Sequence, residues 1–232
     1  MLAVRKANER GHADHGWLST YHTFSFAGYH DLKHMGFRSL RVINEDRISA
    51  SRGFGTHGHR DMEIVSYVLD GILEHRDSLG NGEQLRPGEF QRITAGKGIQ
   101  HSEFNGSSQQ ATHFYQIWLL PESKGLEPSY QQQAFAPGDR LNRWQLVASR
   151  DSAEGSMLIH QDVNIYLVDL QRDIDIDFAL KSHRHAWIQI LRGAASLNGM
   201  PITAGDGVAV SQETMLQLKA TADSEFMLFD LA

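Results

Sequence analysis

The sequence predicts an all-β protein built as two antiparallel β-barrels in tandem. Three observations carry that prediction. Short apolar or alternating runs recur along the chain between Gly, Asn and Asp, the pattern of strands punctuated by turns. No segment holds a sustained helical period of apolar residues. One order of features also occurs in both halves: an apolar strand, a Gly, a tight turn and a Gly-acidic step.

Taken in order, Leu40-Arg41-Val42-Ile43 is the first clear strand, and Glu63 to Leu69 the next, ending at Asp70-Gly71. Hairpin signals follow at Leu79-Gly80-Asn81-Gly82 and Pro87-Gly88, then Glu89-Phe90. Thr112 to Leu120 closes the first half. Between Pro121 and Arg143 stand three of the five prolines and a Gln run. This stretch reads as a linker or excursion with a short helix around Tyr130–Gln133. Beyond it, Ile165 to Leu170 and Trp187 to Leu191 are strands, the latter followed by Gly193, Asn198-Gly199 and Ala204-Gly205-Asp206-Gly207. The divisions drawn are residues 1–125, a linker 126–145, and 146–232.

Composition narrows the function. The chain has 232 residues, of which 41% are hydrophobic, enough for a sizeable core and against wholesale disorder. A net charge of −6 and no basic run argue against direct nucleic-acid binding. The N-terminus has no apolar signal region, and no apolar run is long enough for a transmembrane helix. A cytoplasmic location with no membrane contact is therefore expected. There is no Cys, so disulfides, thiolate metal sites and a Cys nucleophile are excluded. Against that stand 13 His.

Two pairs among those side chains have the spacing of metal ligands. In His57-Gly58-His59, residues i and i+2 face the same side of a strand, so two imidazoles project together. Glycines at 53 and 55 lead in, and Ile64 to Val68 is read as continuing the strand. His101-Ser102-Glu103 repeats the i, i+2 spacing behind the glycine turn Gly96-Lys97-Gly98. Together they offer three nitrogens and one carboxylate with open positions, a set suited to iron, manganese, nickel, copper or zinc. Metal affinity is expected to fall below about pH 6.5, where imidazole protonates.

These segments resemble the cupin motifs. Gly53 to Gly71, GFGTHGHRDMEIVSYVLDG, is similar to the first, and Ala95 to Asn105, AGKGIQHSEFN, to the second. More narrowly, the chain resembles the bacterial pirins. The supporting residues are His22-Thr23-Phe24-Ser25-Phe26, Leu40 to Asp46, HGHRDME at 57–63, Glu74 to Gly80, and AGKGIQHSE at 95–103. The resemblance implies a bicupin fold with one metal in the first barrel, held by His57, His59, His101 and Glu103. It also implies an association with iron, Fe(II), and quercetin 2,3-dioxygenase activity. Zn, Ni, Cu, Co and Mn remain open as alternatives. Glu63 shares parity with His57 and His59, but in pirins the Glu beside the third His is the ligand. Glu103 is therefore assigned as ligand, and Glu63 as a residue orienting a histidine from behind.

His183-Arg184-His185 in the second half invites a second site, but register opposes it. The spacing of His101 and Glu103 from Gly88, transferred to Gly205, lands on Leu218 and Ala220. The second barrel is expected to be empty. The other histidines are assigned no function, although His12 to His34 lie where they could border the barrel mouth. Phe54, Phe90, Phe104 and Trp118 are candidates for an apolar pocket or for core packing.

Three functional readings follow. The first is a dioxygenase acting on a small flavonol-like aromatic and O₂, with Glu103 doubling as the catalytic base. The second is a metal-bearing regulator or redox sensor without turnover, for which the resemblance supplies a nuclear co-regulator in the family; with a net charge of −6 and no basic run, such a role would act through a protein partner. The third is a zinc cupin with isomerase or hydrolase chemistry.

Overall fold

Central runs such as Glu63–Asp70 (EIVSYVLD) and Thr112–Leu119 (THFYQIWL) are buried along almost their whole length, as strands covered on both faces must be. The structure, a computed structural model, describes residues 1–232 and divides into two compact units. One comprises Gly11–Phe135 with Ile159–Gln161; the other comprises Met1–Arg10, Ala136–Leu158 and Asp162–Ala232.

The first unit packs a seven-stranded sheet against a four-stranded one. The large sheet runs in the order Ser129–Ala134, Glu89–Thr94, Glu63–Asp70, Thr112–Leu119, Leu40–Ile48, Leu18–His22, Gly11–Asp14. The small sheet runs Gly53–His59, Ile99–Asn105, Leu73–Asp77, Gly82–Leu85. All these pairings are antiparallel. Two apolar clusters hold the sheets together. One is built on Leu18, Ile48, Val68, Leu73, Leu85 and Phe114, the other on Ile64, Ile93, Ala95 and Ile99.

The second unit repeats the plan. Its large sheet centres on His185–Arg192, Ser224–Leu231 and Val163–Leu170, and its small sheet runs Asp175–Ala179, Met215–Ala220, Ala194–Leu197, Met200–Thr203. One continuous apolar cluster fills the space between them. No helix of the chain is long and apolar enough to cross a membrane.

The structure differs from the sequence-based expectations in three respects. No strand pairing joins the small sheet to the large one in either unit, so each is an open pair of sheets rather than a closed barrel. In the first unit the crossing between the sheets falls at Arg60–Met62, where Asp61 adopts a left-handed φ of 49°. The chain leaves the small sheet there and re-enters on the large one. The run from His59 to Glu63 is therefore not one strand.

The stretch expected as a linker is largely ordered. Residues 129–134, including the proposed helix at 130–133, form an edge strand paired in register with Glu89–Thr94. Arg92 Nη1 donates to Ser129 Oγ at 2.6 Å, and Tyr130 stacks on His75. The short helix lies instead at Pro137–Arg140, with Pro at its start. The compact units also cut the chain differently from 1–125, 126–145 and 146–232. Leu2–Arg5 pairs with Gly207–Val210, which places the first ten residues in the second unit.

Candidate metal centre

The site is built where the edge strand Gly53–His59 of the small sheet meets its inner neighbour Ile99–Asn105. Gly53–His59 and Ile99–Asn105 pair antiparallel, and His101 stands directly opposite His57. His59 lies two residues along on the same face. The ring centroids are 4.5 Å apart for His57 and His101, and 4.8 Å apart for each pair that includes His59. Each ring offers a nitrogen within 4.8 Å of the others.

Hydrogen bonds set which nitrogens are free. His57 Nδ1 lies 2.8 Å from the Gly55 carbonyl oxygen. A carbonyl can only accept, so Nδ1 carries the proton and Nε2 keeps its lone pair for the site. His101 is 1% exposed, and neither of its ring nitrogens has a hydrogen-bond partner. A buried imidazole with no partner is costly, and a metal ligated beside two other imidazoles would satisfy one of its two nitrogens. The donor set therefore fits a borderline divalent transition metal.

Electrostatics favour the ligating form. Burial, with His101 and His57 adding, lowers His59 to about 4. Burial, with His57 and His75 adding, lowers His101 to about 3. Both shifts run downward from the ordinary imidazole value of about 6.5. Both rings are neutral far below it.

Glu103 is fully buried and held from the large sheet. Its Oε1 accepts from Gln91 Nε2 at 2.5 Å and Ser66 Oγ at 3.4 Å, and its Oε2 from Gln116 Nε2 at 2.7 Å. Gln116 Oε1 in turn accepts from Trp118 Nε1 at 3.0 Å. The three donors stand in one register row, Gln116 opposite Ser66 and Ser66 opposite Gln91. Glu103 groups with His101 and His75, whose ligand atoms lie within 4.8 Å of one another, rather than with His57 and His59. It nevertheless lines the same cavity as those two.

Glu63 lies elsewhere. It is fully buried on the large sheet, and its Oε2 accepts from His160 N at 3.1 Å and Thr94 Oγ1 at 3.2 Å. The histidine beside it is His160, at 3.4 Å, so it does not support a ligand of the candidate site. The break at Arg60–Met62 removes the parity on which the sequence argument rested.

A cavity of about 500 Å³ opens over the site, a size suited to a small organic ligand. Trp17, Leu18, Phe26, Phe54 and Trp118 give it apolar walls, and Thr20, His22, Asn44 and Asp46 form a polar strip. Of the aromatic candidates, Phe54 and Trp118 line it, Phe90 is core, stacked on Tyr67, and Phe104 is exposed. His15 and His22 from the N-terminal cluster also reach it. Asp46 is pushed up to about 7 by burial, with Glu103 and Glu45 adding and the Thr20 hydroxyl opposing.

Sequence reasoning missed Gln91, Ser66, Gln116, Asp46 and His75. His75 is fully buried, bonded through Nε2 to Asp77 Oδ2 at 2.9 Å, with its ring 5.5 Å from that of His101. The signal for Ser66 and Gln116 was a lone polar residue inside an apolar central strand. In the second unit, His183 is exposed on the loop before His185–Arg192, and His185 Nδ1 lies 2.7 Å from Ser211 Oγ. The strand matching the ligand strand Ile99–Asn105 is Met215–Ala220, where Leu218 and Ala220 are packed into the core.

Comparison with known proteins agrees across the chain. The family model described as Pirin matches residues 3–119, and that described as the quercetinase C-terminal cupin domain matches residues 146–231. The chain is 49% identical over 231 residues to the quercetin 2,3-dioxygenase of Escherichia coli strain K12, covering 100% of this chain and 99% of that one. It is 36% identical over 233 residues to the pirin-like protein of Caulobacter vibrioides, covering 100% of both. The crystal structure of the bacterial pirin YhhW from Escherichia coli in complex with nickel(II) matches with a TM-score of 0.95 at 49% identity, over 100% of this chain and 99% of that one.

Proposed function

The chain belongs to the pirin family, and on that premise we propose that it is a metal-dependent dioxygenase that opens a flavonol such as quercetin with O₂. One observation carries the reading: three imidazoles converge, two of them, His57 and His59, line an apolar-walled cavity, and the buried third, His101, has no hydrogen-bond partner for either nitrogen. The proposed ligands are His57, His59, His101 and Glu103. Fe(II) is the proposed metal, with Ni, Cu, Co, Mn or Zn suited to the same donors. When bound, such an ion supplies Lewis acidity and, for iron, redox chemistry toward O₂.

The protein's own groups do the rest. Gln91, Ser66 and Gln116 fix the Glu103 carboxylate, so it is oriented before substrate arrives. Oε2 has one donor where Oε1 has two, and so keeps more accepting capacity. Oε2 is the proposed acceptor of the substrate's enolic proton. Phe26, Phe54 and Trp118 exclude water from the faces of an aromatic ring, and the Trp118 and His59 rings stand near-perpendicular with centroids 4.9 Å apart.

The test begins with elemental analysis of protein purified without a His-tag. The protein is then loaded in turn with Fe(II), Ni(II), Cu(II), Co(II), Mn(II) and Zn(II) and incubated aerobically with quercetin. Loss of the flavonol absorption band with release of carbon monoxide is expected for at least one metal. Absence of turnover with all of them overturns the reading. His57→Ala and His101→Ala should each abolish metal retention.

A further inference from the structure

The cavity wall on the strands Leu18–His22 and Leu40–Ile48 carries two side-chain pairs in register, Thr20 opposite Asp46 and His22 opposite Asn44. All four residues line the cavity. The second pair is satisfied internally, His22 Nδ1 lying 2.9 Å from Asn44 Oδ1. The first pair is not. Thr20 and Asp46 are 4% and 3% exposed, and neither Thr20 Oγ1 nor Asp46 Oδ1 has a partner in hydrogen-bond geometry. The two groups bear on each other, the Thr20 hydroxyl favouring the Asp46 carboxylate, but outside full hydrogen-bond geometry, and burying them so poorly satisfied is unfavourable unless something else supplies the bonds.

We propose that Thr20 and Asp46 form a subsite that binds a peripheral hydroxyl of a polyhydroxylated aromatic substrate. The proposal rests on reading the cavity as the site of such a substrate. A hydroxyl is the group that answers both orphans at once, because it donates to Asp46 Oδ1 while accepting from the Thr20 hydroxyl. The position is peripheral for a geometric reason. Asn44 stands in the row that continues to Gln116, the donor to Glu103. Asp46 is two residues further along the strand, displaced by roughly 7 Å at about 3.3 Å per residue. The surroundings suit an aromatic ring carrying that hydroxyl: Trp17 and Phe54 pack edge to face at 5.4 Å, and both line the cavity.

The test measures binding, not turnover. The nickel(II)-loaded full chain is titrated under argon with quercetin and with 3-hydroxyflavone, which keeps only the hydroxyl beside the carbonyl. Asp46→Ala should weaken quercetin about tenfold and Thr20→Val roughly threefold, while 3-hydroxyflavone stays within about twofold of wild type. Thr20→Val is nearly isosteric, so its result stands even if Asp46→Ala misfolds, and retained nickel in each variant verifies the fold. Equal losses on both ligands, or no loss for quercetin, overturn the subsite while leaving the cavity reading intact. Failure of the wild-type protein to bind either flavonol overturns that reading, and the subsite with it.

Discussion

His101 and His59 sit neutral in the folded chain because burial and neighbouring imidazoles oppose their protonation. In the unfolded chain both titrate near the ordinary value of about 6.5. Between there and about 4 the unfolded state binds protons that the folded state refuses. The metal-free protein should therefore lose stability as pH falls through that window. The urea midpoint of the metal-free protein should drop steadily from about pH 6.5 to 4, and the imidazole proton resonances of both residues should hold their neutral positions from about pH 8 down to 5. An inflection near 6.5 in either resonance would show that the site is wetter than described. This residue scale is also where the sequence was most legible. An i, i+2 spacing on two glycine-led segments singled out His57, His59 and His101, which the fold brings together, and Glu103, which it groups with His101 and His75; strand periodicity needs no tertiary information. Gln91, Ser66 and Gln116 were hidden because they meet Glu103 from another sheet, and that pairing is not written in any local spacing.

The histidine strand depends on a close backbone approach at its first residue. Gly53 pairs with Phe104, and a Cβ at Gly53 would strike the Glu103 carbonyl oxygen and the Phe104 backbone. Gly55 has open space at the same position. Gly53→Ala should therefore pry the two strands of the proposed site apart, costing about 1–3 kcal/mol and lowering metal stoichiometry. Gly55→Ala should leave both nearly unchanged. Thermal unfolding and elemental analysis of the two variants read the contrast, and equal behaviour would remove the strand contact as the cause. The same scale shows why Glu63 and residues 126–145 were misjudged. Parity propagates only while a strand continues, and the left-handed Asp61 ends it. A Gln-rich, Pro-flanked segment reads as a linker until a neighbour with a free edge, here Glu89–Thr94, gives its backbone a partner.

Across the whole chain, one plan is used twice with different interiors. In the first unit the edge strand of the small sheet and its neighbour carry imidazoles and a carboxylate; in the second, the matching strands contribute Ile176, Phe178, Leu216, Leu218 and Ala220 to a filled apolar cluster. His183→Ala and His185→Ala should accordingly leave metal stoichiometry unchanged by elemental analysis. The division of the chain leads to a further expectation. Leu2–Arg5 is the edge strand on Gly207–Val210, and the residues after it close on Asp206, which is 1% exposed. Asp206 Oδ1 accepts from Ala7 N at 2.8 Å, and Oδ2 from Lys6 Nζ at 3.0 Å. Removing residues 1–10 strips both bonds from a buried carboxylate, at about 1–3 kcal/mol for the lost partners, and bares an apolar edge that invites association. The truncated protein should show faster amide exchange along Gly207–Val210 and a lower unfolding temperature. It should keep its full metal content, since every proposed ligand lies beyond residue 10. Unchanged exchange along that strand would mean that the first ten residues add nothing to the second unit, and loss of metal would mean that their effect reaches the first.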